Sequence, residues 1–193
     1  SILVFGAHPD DLEIGMGGTI AKLSAMGYEV QPIIATLPNF VKSDTKEGRK
    51  TESMLSAKVM GCKSPVFLDL PPDEMVFGRK MVTLIDSLVT KYKPNSIFTQ
   101  WYGDSHQDHQ ILTKSVISAC RDQNNIFMYE TTIPGGITEN SFRPQLYVNI
   151  TETIETKKNA LECFESQSVR CGEIWIPAIL GRCSYRGYQI NSK

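Results

Sequence analysis

At 193 residues the chain can fill one hydrophobic core but hardly two, so a single domain over residues 1–193 is expected. A hydrophobic share of 41% and a charged share of 21% suit a soluble protein, and a formal net charge of −1 leaves no basic field for a nucleic acid backbone. No apolar run approaches the roughly 20 residues that span a bilayer, and no basic stretch with an apolar signal core opens the chain, so neither a membrane span nor export is expected.

Residues 2–7 are a continuous apolar run, the pattern of a central strand covered on both faces. From Ile14 the spacing becomes helical, with Ile14, Ile20, Leu23 and Met26 on one face and Gly27 at the stop. Gly15, Gly17 and Gly18 weaken that helix but allow close approach to its backbone. Residues 29–37 read as a second strand despite Pro32, and a polar loop covers 38–45. The next helix runs to about Met60, presents Met54, Leu55 and Val59 inward, and ends at Gly61. Residues 66–70 form a third strand closed by Pro71 and Pro72, and 78–92 a third helix carrying Val82, Leu84, Ile85, Leu88 and Val89.

Residues 96–100 are a fourth strand, and 111–120 a helix with Ile111, Leu112, Val116 and Ile117 spaced for one face. A fifth strand at 126–129, a loop at Pro134-Gly135-Gly136 and a sixth strand at 145–150 follow. Thr151 is placed as N-cap of a helix through Phe164, and 167–193 has a mixed pattern without assignment. Strands alternating with helices imply an α/β protein with a mostly parallel sheet and helices on both faces. The five cysteines are odd in number and lack a close Cys-x-x-Cys pair, which argues for reduced thiols in a cytoplasmic setting.

Two polar knots interrupt this pattern. The first, His8-Pro9-Asp10-Asp11-Leu12-Glu13, follows the first strand, and the second, Asp104-Ser105-His106-Gln107-Asp108-His109, follows the fourth. Together they hold all three histidines of the chain, so they are read as one divided site. In a sheet of order 3-2-1-4-5 these loops meet where strand order reverses, the usual place for a ligand. Two aspartates where a dinucleotide fold needs glycines would repel a pyrophosphate, which disfavours a nucleotide cofactor. Imidazole and carboxylate beside a helix N-terminus suit a cation, and two histidines with one carboxylate is a recurrent catalytic zinc set. Taken singly, Asp10 or Asp11 would serve as a helix cap and each histidine as a hydrogen-bonded packing residue.

With Ala7-His8-Pro9-Asp10-Asp11-x-Glu13 and Asp104-x-His106-x-Asp108-His109 in view, the chain resembles the LmbE-like or PIG-L-like family of zinc-dependent N-acetylglucosaminyl deacetylases. Arg49-x-x-Glu52 and Ser166-Gln167 fit the same family, so the resemblance reaches from Ile2 to about Gln167. It implies a Rossmann-like fold and hydrolysis of the acetamido group of an amino sugar or its conjugate. His8, Asp11 and His109 would hold Zn2+, Asp10 would act as general base, and a cationic His106 would meet the oxyanion or protonate the leaving amine. Arg49 and Glu13 would contact substrate hydroxyls or hold the site, and Asp104, grouped with them as a substrate-binding residue, would orient a histidine through its other ring nitrogen. The resemblance also implies a small-molecule partner and association of copies of the chain, for which Trp101, Tyr102 and Trp175 are rim or interface candidates.

Three departures bear on substrate: Gln107 replaces a usual proline, Pro38-Asn39 alter the pocket rim after Thr36, and Phe164 stands where a histidine is common. The altered rim at Pro38 and Asn39 motivates one alternative, a metal-dependent amidase for bulkier amide conjugates, beside another of a different class, a non-catalytic sugar- or metal-binding relative.

Overall fold

The apolar run that opens the chain lies in the middle of the sheet. β1 (Ile2–Gly6) is buried along its whole length and pairs in parallel with β2 (Val30–Ile34) and β4 (Ser96–Gln100). β3 (Val66–Phe67) and β5 (Ile126–Tyr129) complete a parallel sheet of order β3-β2-β1-β4-β5. These elements belong to a computed structural model that describes residues 1–37, 45–131 and 141–192. The helices are α1 (Asp11–Ala25), α2 (Lys46–Met60), α3 (Arg79–Tyr92), α4 (Gln107–Ala119), α5 (Ile154–Glu162), α6 (Glu165–Cys171) and α7 (Trp175–Gln189).

Alternate strand residues feed two cores. Leu3, Phe5, Ile33 and Ile97 pack with Ile85 and Leu88 of α3 and Leu112 and Val116 of α4. Ile2, Val4 and Val30 pack with Leu12, Met16 and Ile20 of α1, Met60 of α2 and Ala160 of α5. Each such side chain contributes about 1.5–3 kcal/mol when fully buried, and cover on both faces is what an all-parallel sheet requires. The expected α/β class with helices on both faces is therefore the observed one.

Three local expectations are corrected, and one unassigned stretch takes a definite form. Residues 145–150 form no strand; the segment is tied to α1, where Lys22 Nζ donates to the Asn149 carbonyl at 2.8 Å and Ile150 packs on Gly18. Met54, Leu55 and Val59 do not face inward: they are exposed, and α2 instead buries Arg49, Ser53, Ser56, Ala57 and Met60. The third strand is shorter than predicted, although the Leu68 and Leu70 amides still bond to Ile34 and Ala35. The unassigned tail forms α6 and α7, separated by Gly172 at φ 75°. Pro177 is tolerated in α7 because it sits in the first turn, where no intrahelical donor is needed. The altered rim at Pro38-Asn39 and the loop at 134–136 lie outside the described residues.

Sheet order fixes the place of chemistry. β1 and β4 are neighbours at the reversal, and the Ala7 amide donates to Gln100 Oε1 at 3.1 Å, clamping their carboxyl ends together.

Candidate active site

β1 delivers His8, then the chain turns sharply into α1 through Asp10. Asp10 has φ 93°, left-handed backbone on a non-glycine residue, and makes no side-chain cap bond to α1. Such a conformation costs about 1–3 kcal/mol and persists only where surrounding contacts impose it. Asp11 opens the helix, and its Oδ2 accepts from the His8 amide at 2.7 Å. β4 delivers the second knot, whose helix begins at His106 with an unusual imidazole cap: Nδ1 accepts from the Asp108 amide at 3.2 Å.

Three donor groups converge from these two turns. His8 Nδ1 and His109 Nε2 are 3.3 Å apart, Asp11 Oδ1 is 3.3 Å from His109 Nε2, and Asp11 Oδ2 is 3.5 Å from His8 Nδ1. Tetrahedral ligands with bonds of about 2.0–2.1 Å stand about 3.3–3.4 Å from one another, so this triangle fits a cation held by two nitrogens and one carboxylate. The three histidines form a wider group, within 4.8 Å. The tighter set is the better cage, because its carboxylate supplies charge that a third imidazole lacks.

Each of the two imidazoles in the triangle is oriented from behind. His8 Nε2 lies 3.0 Å from Asp108 Oδ2, and His109 Nδ1 lies 2.8 Å from Asp104 Oδ2. Asp104 is fixed in turn by the His106 amide at 2.9 Å and the Thr131 hydroxyl at 2.7 Å. Carboxylates behind histidines set the tautomer and raise ligand basicity.

The electrostatics follow from burial set against pairing. Burial opposes charge on His8, but Asp108 and Asp11 prevail and lift its pKa to about 9. His109 is lifted to about 10, against burial, by Asp11 and Asp104. Burial also opposes the Asp11 carboxylate, yet His109 and His8 hold it well below the usual range. Asp10 goes the other way, pushed to about 6 by burial in spite of Arg49. Burial and the charges of His8 and His109 lower His106. The expected cationic His106 is thus disfavoured: its Nδ1 lone pair caps α4, and the neutral ring keeps a proton on Nε2.

Residues 3–120 match the model of one protein family, PIG-L, described as GlcNAc-PI de-N-acetylase. The chain belongs to the PIG-L family. It is 29% identical over 165 residues to the uncharacterized deacetylase YaiS of Escherichia coli K12, covering 82% of this chain and 86% of that protein. It is 25% identical over 206 residues to the diacetylchitobiose deacetylase of Thermococcus kodakarensis, covering 96% of this chain and 77% of that protein. The N,N'-diacetylchitobiose deacetylase of Pyrococcus horikoshii, solved with its inhibitor MPG, superposes with TM-score 0.85 at 25% identity, covering 99% of this chain and 79% of that one.

Both motifs that this PIG-L chain was read by contribute to the triangle, while its neighbours have other contacts. Glu13 is buried and accepts from Ser56 Oγ of α2 at 2.6 Å, with burial pushing its pKa to about 7. Arg49 is buried behind the first knot, where it donates to the Pro9 carbonyl and lies 3.3 Å from Asp10 Oδ2. Trp175 is buried against Ile14 and Phe164, away from any rim. Sequence reasoning did not assign Asp108 to His8, nor Glu52 and Ser166 to Arg49; the Arg-x-x-Glu spacing was the signal for the latter. A cavity of about 980 Å³ lies elsewhere, between α1, β5 and α7. Phe98, Trp101, Phe127 and Tyr147 line it, and none of the knot histidines or aspartates does.

Proposed function

We propose that this chain is a zinc-dependent N-deacetylase that removes the acetyl group of an N-acetylglucosamine-type amino sugar or its conjugate. The observation that carries the reading is the triangle of His8 Nδ1, Asp11 and His109 Nε2, with Asp10 and His106 beside it. Membership of the PIG-L family and the two chitobiose deacetylases support it.

In this reading His8, Asp11 and His109 hold the zinc, which when bound polarises the amide carbonyl and acidifies water. Asp10 takes the proton of the attacking water. Its pKa near 6 leaves it ionised at neutral pH yet more basic than an ordinary carboxylate, as a general base requires. His106, neutral and protonated on Nε2, donates a hydrogen bond to the carbonyl oxygen as negative charge gathers there. The C–N bond then breaks, acetate carries off the oxygen of the water, and the amine nitrogen receives the proton that Asp10 took from that water. Arg49 and Glu13 act on the protein side, since both side chains are buried and occupied by protein partners. The five free cysteines suit a reducing, cytoplasmic setting, and no helix of the described residues is long and apolar enough to cross a membrane.

Acetate release from N-acetylglucosamine, diacetylchitobiose and bulkier amide conjugates, read beside metal content, tests the proposal. About one zinc per chain and acetate from the acetylated sugars are expected, with Asp10→Ala keeping its zinc and losing about 10²-fold or more in turnover. Full activity of metal-free protein overturns the metal role. Release of bulky acyl groups alone shifts the substrate to the amidase alternative, and tight sugar binding without acetate identifies a non-catalytic relative.

A further inference from the structure

Behind the strained turn at Asp10 lies a buried network that no step of the proposed reaction requires to touch substrate. Arg49 of α2 is 2% exposed. Its Nη2 donates to the Pro9 carbonyl and sits 3.3 Å from Asp10 Oδ2. Its Nη1 donates to Ser166 Oγ at 2.9 Å and lies 3.4 Å from Glu52 Oε2. Glu52 in turn accepts from both polar groups of Ser166, the amide at 2.8 Å and the hydroxyl at 2.7 Å. The Phe164 ring lies against the guanidinium, 5.5 Å from centroid to Cζ. Helices α2 and α6 therefore meet the first knot through one planar cation held on both edges.

The Pro9 carbonyl belongs to the peptide that precedes Asp10, so a donor fixed on that oxygen fixes the peptide plane about which φ of Asp10 turns. We propose that Glu52 and Ser166 are positioning residues, acting through Arg49, that hold Asp10 in its left-handed conformation and keep its carboxylate aimed at water instead of joining Asp11 on the metal. The inference rests on the reading of Asp10 as general base. Arg49 is rigid and bidentate because Glu52 and Ser166 occupy its second edge, and a lysine could not reproduce that fork.

Glu52→Gln, Ser166→Ala and Arg49→Ala separate this role from others. With zinc loaded, Glu52→Gln and Ser166→Ala are expected to keep about one metal per chain and a KM within about two-fold of the parent, while kcat falls about 10-fold or more, the size of a misaimed reacting group. Arg49→Ala should lose more and recover in part on addition of guanidinium, which should not help Asp10→Ala. A raised KM with unchanged kcat in Glu52→Gln would assign the network to substrate binding and overturn the proposal, as would unchanged kinetics in both mild variants. A crystal structure of zinc-loaded Ser166→Ala supplies a readout without activity. There the Asp10 carboxylate should leave its parent position, and an unmoved Asp10 overturns the proposal. If the parent chain releases no acetate, the deacetylase reading fails by itself, and that crystallographic comparison still decides whether the network holds Asp10.

Discussion

Two imidazole nitrogens 3.3 Å apart, each turned toward an Asp11 oxygen, are stable only with something positive between them or on them. Without metal that charge is protons. His8 and His109 have folded pKa values of about 9 and about 10 against about 6.5 unfolded, so the folded chain binds more protons than the unfolded one between those limits. Their stabilisation is fully present below about pH 6.5 and is lost as pH rises through 9 to 10. Thermal unfolding of metal-free protein should therefore fall steadily from pH 7 to pH 10. Zinc, needing neutral imidazoles, should displace about two protons per chain near pH 7, measurable by calorimetry in buffers of different ionisation enthalpy. The partner behind His109 gives a second test at this scale. Asp104→Asn leaves the triangle in place but removes the charge at 2.8 Å from Nδ1, and should weaken zinc about 10- to 100-fold in chelator competition.

Helices show what the hydrophobic pattern conceals when a site is buried. In α2 the apolar residues Met54, Leu55 and Val59 suggested the inner face, yet Arg49 and Ser56 take it, because their partners Pro9, Ser166 and Glu13 are inside. Pattern reasoning assigns polar residues to water, and here function reverses the rule. Gly15 in α1 has a packing reason: a Cβ there would stand 2.1 Å from Tyr129 Cδ2, and Tyr129 donates its hydroxyl to the Phe5 carbonyl at 2.8 Å. Gly15→Ala should therefore destabilise the chain by about 1–3 kcal/mol in urea unfolding. Gly181→Ala in α7, where nothing lies within 4 Å, should be neutral or stabilising by about 0.5–1 kcal/mol.

Across the whole molecule, the parallel sheet was legible because β1, β2 and β4 are buried apolar runs separated by helical spacing, and the 3-2-1-4-5 order brought two knots a hundred residues apart to one edge. The last third was less so. Residues 145–150 carry strand-like composition but are captured by α1, and α7 contains Pro177, Gly181 and Gly187, which blur a helix that Trp175 and Ile179 anchor in the core. Within the site, the residues that converge could be read from the motifs, whereas the conformation of Asp10, the imidazole cap made by His106 and the support behind Arg49 depend on tertiary contacts. Anomalous diffraction at the zinc edge from crystals of the zinc-loaded protein tests the central claim most directly. One peak is predicted, about 2.0–2.2 Å from His8 Nδ1, His109 Nε2 and an Asp11 oxygen, with Asp10 and His106 outside its bonds. A peak bound to all three histidines, or one remote from them, would contradict it.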